Sequence, residues 1–186
     1  MTSELVTRDS AHLLVVDIQA KLVPTIHEAG RLIERSAFLI KTAKHLGVPI
    51  TVTEQYPKGL GPTDHNLMQL CGNDTPVFAK TAFSGLKDDA IRAHVMRDAA
   101  RSDLIVIGME AHVCVLQTAM DALKAGLSVF VVADAIGSRS ANDPPLATAR
   151  LRDAGAKIVS AEMMFFEMLE RSGTEDFKAL SPMLRS

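Results

Sequence analysis

Among its 186 residues the chain has no tryptophan, one tyrosine and only two cysteines, Cys71 and Cys114. Two cysteines do not make a disulfide framework, so a reducing compartment, the cytoplasm, is expected. The opening MTSELVTRDS lacks the basic start and apolar core of a secretory leader, which leads to the same expectation. No apolar run reaches the length needed to span a bilayer, so no membrane association is predicted. Basic and acidic residues nearly balance, 20 against 22, for a net charge of −2. That leaves no basic footprint for nucleic acid. The six histidines (12, 27, 45, 65, 94 and 112) are scattered, with no HExxH or other close ligand spacing, so no metal is expected. Neither a GxGxxG after the first strand nor a phosphate-binding GxxxxGK loop occurs, so no nucleotide cofactor is expected, nor any other.

What is present is a regular alternation. HLLVVD (12–17), PITVTE (49–54), PVFAK (76–80), LIVIG (104–108), SVFVVAD (128–134) and AKIVSA (156–161) read as short buried strands. Between them, 31–46 places Leu32, Ile33, Ala37, Ile40 and Ala43 on one helical face and stops at Gly47. Residues 87–100 carry Ile91, Val95 and Ala99 at i, i+4, i+8, and 112–125 is a further helix closed by Gly126. Asn142 reads as a cap ahead of Pro144 and Pro145, opening a helix that ends at Gly155. The Gly-, Pro- and Asp-rich stretch 55–75 reads mostly as loop, with one helical turn around 64–70, and only the termini read as loose. Strands apolar on both faces and separated by amphipathic helices mean a mostly parallel sheet covered on both sides. The prediction is one doubly wound, three-layer α/β/α domain over 1–186 with six strands.

In such folds ligands bind at the carboxyl ends of the strands, where strand order reverses. The polar residues at or just past those ends are Asp17, Glu54, Lys80, Asp134 and, after strand four, Cys114. An acid, an amine and a thiol on one edge are the ingredients of a nucleophilic site. Cys114 falls in the first turn of the helix 112–125, where unpaired N–H groups and the dipole favour its anion and peptide N–H groups can receive an oxyanion. A lysine about 4 Å away at an effective dielectric near 20 adds ~4 kcal/mol, up to ~3 pKa units of acidity, against which Asp17 pulls. A partly ionised thiol is the expectation, with Asp17 shuttling its proton. Each residue also has an ordinary use: the cysteine as a small buried hydrophobe, the aspartate as a loop cap, the lysine at the surface. His112, two residues before Cys114, points to another side of a helix and is a poor partner for it. Cys71 reads as a loop or packing residue.

LLVVDIQ, KTAFSGL, GMEAHVCVLQTA and VVADAIGSRS, in that order over roughly residues 11–162, resemble the isochorismatase-like cysteine hydrolase superfamily. EQYPKGLG and GMEAHVC resemble its isochorismatase domain-containing branch. The resemblance implies a catalytic triad of Asp17, Lys80 (ahead of Phe83-Ser84) and Cys114. It implies a non-proline cis peptide at Met109–Glu110 that helps turn backbone N–H groups, that of Cys114 included, toward an oxyanion. It further implies a hydrolase of a small amide, imide or carbamoyl compound working through a thioester, with Tyr56, Phe83 and His112 lining the pocket; ordinary loop and packing roles for those three stay open. Two departures narrow it. Nicotinamidases carry a metal-binding Asp-x-His after strand two, which TEQYPKGLGPTDH lacks, and isochorismatases cleave a vinyl ether without a thiol. The alternatives to an amide hydrolase are a non-catalytic binding or scaffold member and a hydrolase of an isochorismate-like vinyl ether. Family members are commonly oligomeric. AEMMFFEML (161–169) holds more large apolar residues than one core-facing stripe needs, so a homo-oligomer is expected.

Overall fold

Val, Leu and Ile favour the pleated, two-sided burial that a central parallel strand offers, and their runs pair side by side. The computed structural model describes residues 5–185. Strands β1 (Ala11–Val16), β2 (Ile50–Gln55), β3 (Val77–Lys80), β4 (Asp103–Met109), β5 (Ser128–Gly137) and β6 (Lys157–Val159) form one parallel sheet in the order β3-β2-β1-β4-β5-β6. The period of two divides the core. Leu13, Val15, Ile105, Ile107, Phe130 and Val132 face one side, packed with α1 (Ala29–Leu46), α3 (His65–Cys71) and α7 (Ala161–Leu169), all following the short α2 (Pro57–Leu60) or flanking it in sequence. Leu14, Val16, Leu104, Val106, Val129 and Val131 face the other, against α4 (Asp89–Val95), α5 (Leu116–Lys124) and α6 (Asp143–Asp153). The three-layer doubly wound architecture is therefore present, with every strand parallel.

The chain winds outward from β1 to β3, then returns to lay β4 on the other side of β1. The two carboxyl ends at this reversal flank a crevice, where open α/β sheets place their ligands. Gly108 makes the close approach possible. It pairs with Val16, its φ is +125°, and a Cβ there would sit 2.0 Å from the Val16 carbonyl oxygen.

Several elements differ from expectation. Helix α4 stops at Val95, well short of residue 100: the His94 carbonyl accepts from the Arg97 N–H (3.4 Å) and guanidinium (2.6 Å), and Asp98, accepting from the Ala100 N–H (3.0 Å), builds a separate turn beyond. β3 is an edge strand with Val77 and Ala79 exposed. The stretch 55–75 holds two helices, α2 and α3, the second capped by Asp64 on the Asn66 and Leu67 N–H groups. Asn142 makes no cap bond; its own N–H donates to Ser140 Oγ (3.2 Å). The C-terminal stretch is ordered helix: α8 (Glu175–Leu180) starts on a Thr174 cap and buries Leu180.

Candidate active site

Asp17 leaves β1 with a left-handed backbone (φ 51°), a conformation aspartate tolerates better than most residues. Its carboxylate is wholly inside the protein. Oδ1 accepts from Thr53 Oγ1 (2.7 Å), and Oδ2 accepts from Lys80 Nζ (2.7 Å), at the end of β3. The two charged side chains are 1% and 0% exposed. Burying an ion pair is costly unless further hydrogen bonds complete it. Here they do, because Lys80 Nζ also donates to Gln55 Oε1 (2.7 Å) and to the carbonyls of Phe83 (3.1 Å) and Ala82 (3.2 Å). Gln55 is fixed in turn by Gln19, whose side chain accepts from the Gln55 N–H (2.8 Å) and donates to the carbonyls of Gln55 (3.0 Å) and Gly61 (2.7 Å). Thr53, Gln55 and Gln19 escaped the sequence reading. The strand-end position of Gln55 and the IQ after Asp17 were the only signals for them.

Past β4 the Met109–Glu110 peptide is cis, and Ala111–Val115 form a wide turn in which the Val115 N–H reaches back five residues to the Glu110 carbonyl (3.2 Å). Regular α-helix begins only at Leu116, so the helix expected over 112–125 opens with this wide turn, and Cys114 lies in it. The residue is 6% exposed. The expectation of a partly ionised thiol is corrected. Burial foremost, then the Asp17 carboxylate, pushes the Cys114 thiol up to about 12, and Lys80 only partly offsets them. The lysine loses leverage because its charge is matched by Asp17 at contact distance, leaving the sulfur beside a pair that is nearly neutral in sum. The neutral thiol is therefore the favoured form of Cys114.

Asp17, Lys80 and Cys114 are thus brought together; the other candidates stand around them. His112 is part-buried, its Nδ1 on Ser138 Oγ (2.9 Å) and 3.6 Å from Asp143 Oδ2. Glu110 is tied to Arg139 Nε (2.9 Å), and Met109 is fully buried. Tyr56 is exposed and lines a cleft of about 370 Å³ with Pro57, Lys80, Thr81 and Asp88. Phe83 is exposed, while its carbonyl serves Lys80. Two strand-end acids are structural. Glu54 accepts from Thr63 N–H (2.7 Å) and Oγ1 (2.8 Å). Asp134 lies inside β5, which runs on to Gly137, and accepts from the Ala161 N–H (2.8 Å) at the start of α7. Cys71 is buried at the end of α3, its thiol pushed up to about 11 by burial. Among the described residues no three His, Cys, Asp or Glu side chains are grouped to hold a metal ion.

A family model, the isochorismatase domain, matches residues 11–163. Isochorismatase family protein 1A of Dictyostelium discoideum is 34% identical over 173 residues, covering 92% of this chain and 84% of its own length. The structure of MAR1 ribonuclease from Caenorhabditis elegans superposes with a TM-score of 0.91 at 35% identity, covering 98% of this chain and 93% of that one. The YcaC gene product of Escherichia coli, described as an octameric hydrolase of unknown specificity, gives 0.91 at 24% identity over 99% and 91% of the two chains.

Proposed function

Because this chain belongs to the isochorismatase domain family, we propose that it is a cysteine hydrolase cleaving a C–N bond in a small amide, imide or carbamoyl compound. The observation that carries this reading is a fully buried Asp17–Lys80 pair, 2.7 Å apart, acting on the Cys114 thiol at the reversal point of the sheet. A binding or scaffold protein has no use for it: replacing a buried ion pair with well-packed apolar residues is often neutral or stabilising. Vinyl ether hydrolysis, for its part, needs no thiol.

The chemistry follows from the protonation states. With the thiol neutral, attack and deprotonation occur together: the S–H proton passes to the Asp17 carboxylate as sulfur bonds to the substrate carbonyl carbon. The carbonyl oxygen becomes an oxyanion held by peptide N–H groups of the Ala111–Val115 turn, that of Cys114 among them. As the C–N bond breaks, Asp17 returns the proton to the departing nitrogen, leaving an acyl thioester on Cys114. Water then attacks the thioester and gives a proton to Asp17. Sulfur leaves, regains that proton, and the carboxylic acid departs. Lys80, donating to Asp17 Oδ2 at 2.7 Å, holds the carboxylate in place at the start of each half-reaction. Cys114→Ala should abolish amide turnover with the fold intact by circular dichroism; undiminished turnover would end the proposal.

The likeness to the C. elegans ribonuclease brings RNA cleavage as a second reading. A net charge of −2 speaks against it, since phosphate contacts carry most RNA affinity. Cleavage of single-stranded RNA independent of Cys114 would reverse that preference. The chain is further proposed to be a homo-oligomer: α7 leaves Met163 (49%) and Phe166 (46%) exposed, and the E. coli neighbour is octameric. Among the described residues no helix is long and apolar enough to cross a membrane, and both cysteines are free, which fits a reducing cytoplasm.

A further inference from the structure

Three buried side-chain atoms have no hydrogen-bond partner among the described residues: Ser36 Oγ, His94 Nε2 and Ser84 Oγ. Ser36 lies within α1 and His94 within α4, away from the carboxyl ends of the strands. Ser84 is different. It is 1% exposed, and the backbone on either side of it is tied into the site. The preceding carbonyl, of Phe83, accepts from Lys80 Nζ (3.1 Å). The following N–H, of Gly85, donates to Thr118 Oγ1 (2.9 Å), four residues beyond Cys114 and so about one helical turn along the same face. Ser84 therefore bridges the ammonium of Lys80 and the segment carrying the thiol. A serine here has an obvious local use, capping the short helical turn at Gly85–Lys87, yet its side chain makes no such bond. A buried hydroxyl left unpaired is unfavourable, so a hydroxyl kept at this place calls for a partner that arrives with the ligand.

We infer that the Ser84 hydroxyl accepts a hydrogen bond from an N–H of the substrate's scissile group, and so selects carboxamides and carbamoyl compounds over the corresponding esters. This rests on the cysteine-hydrolase reading above and assigns the one polar atom of the amide that reading leaves unmet. The carbonyl oxygen goes to backbone N–H groups. Asp17, whose oxygens accept from Thr53 and Lys80, keeps its remaining capacity for the thiol proton. An amide nitrogen still presents N–H donors, and Ser84 Oγ has lone pairs free to receive them. An ester oxygen has no hydrogen to give. A site built around a substrate N–H rejects the analogue lacking it far more strongly than a site fitted by shape alone.

The test compares alkylation of Cys114 by iodoacetamide and by methyl iodoacetate, two reagents differing in the amide or ester beside the reacting carbon. In both, sulfur bonds to that carbon, iodide leaves, and the thiol proton passes to Asp17. Rates at Cys114 are read by peptide mass spectrometry, and the amide-to-ester ratio is divided by the same ratio for glutathione. Ser84→Ala should lower this corrected ratio about tenfold, the worth of one hydrogen bond. Ser84→Thr, which keeps the hydroxyl, should hold it near the wild-type value, and Ser36→Ala should leave it unchanged. If Ser84→Ala labels at Cys114 with a ratio within twofold of wild type, the assignment of Ser84 is wrong and the nucleophile stands. If wild-type Cys114 is labelled by neither reagent, the nucleophile reading falls and this inference with it.

Discussion

At the scale of single residues the site is a balance of charges in which the thiol is the weakest acid. Burial and Asp17 raise its pKa and Lys80 lowers it, so the two variants should move acidity in opposite directions. Asp17→Asn should bring the alkylation profile of Cys114 to lower pH by roughly one to two units, because a neighbouring negative charge is gone. Lys80→Met should move the profile further up. Both should lose turnover, the first for want of a proton carrier and the second for want of a positioned one. An unmoved or rising profile in Asp17→Asn would contradict the account. The sequence pointed to Asp17, Lys80 and Cys114 because each closes an apolar run or follows one. It could not show that Lys80 is matched by Asp17 at 2.7 Å and completed by Gln55 and two carbonyls. That is why the thiol looked more acidic from spacing than burial permits. Thr53 is hidden for the same reason, and Ser84 shows only as half of the Phe83-Ser84 pair: hydroxyl residues are common in strands and loops, and only their three-dimensional partners distinguish them.

At the scale of elements, the site depends on how closely β4 lies against β1. Gly108→Ala should cost about 3 kcal/mol or more, since its Cβ would meet the Val16 backbone at 2.0 Å, where no flexible side chain can yield, and its φ of +125° is strained for any other residue. Urea denaturation checks this; a loss below about 1 kcal/mol would mean the strands can part without harm. The apolar runs of β1, β2 and β4 were plain in the sequence, because strands buried on both faces leave little room for polar residues. Boundaries set by single side chains were not. Ala99 continues the apolar spacing of α4, yet the helix stops at Val95 and Asp98 builds a separate turn after it. Asp134 looks like a strand end, yet β5 continues through Gly137 and uses that carboxylate to hold α7.

At the scale of the whole molecule, the order β3-β2-β1-β4-β5-β6 brings residues 17, 80 and 114 together from three separate turns of the chain. The alternation of strands and helices made that architecture legible before any coordinates, whereas the surface of the assembly was legible only as an excess of apolar residues in 161–169. Of these, Met164, Phe165, Met168 and Leu169 are spent on the core, leaving Met163 and Phe166 outside. Phe166→Glu should therefore shift the species seen by light scattering toward the monomer without lowering secondary structure; a wild-type monomer at micromolar concentration would remove the basis for this. The central claim, covalent catalysis by Cys114 with Asp17 as its proton carrier, is tested most directly by acid-quenched mass spectrometry after incubation with a panel of small primary amides. An acyl mass is expected on the Cys114 peptide of the wild type with at least one amide that is turned over, and none in Cys114→Ala or Asp17→Asn. Amide turnover by Cys114→Ala at the wild-type rate, or an acyl adduct carried on another residue, would contradict it.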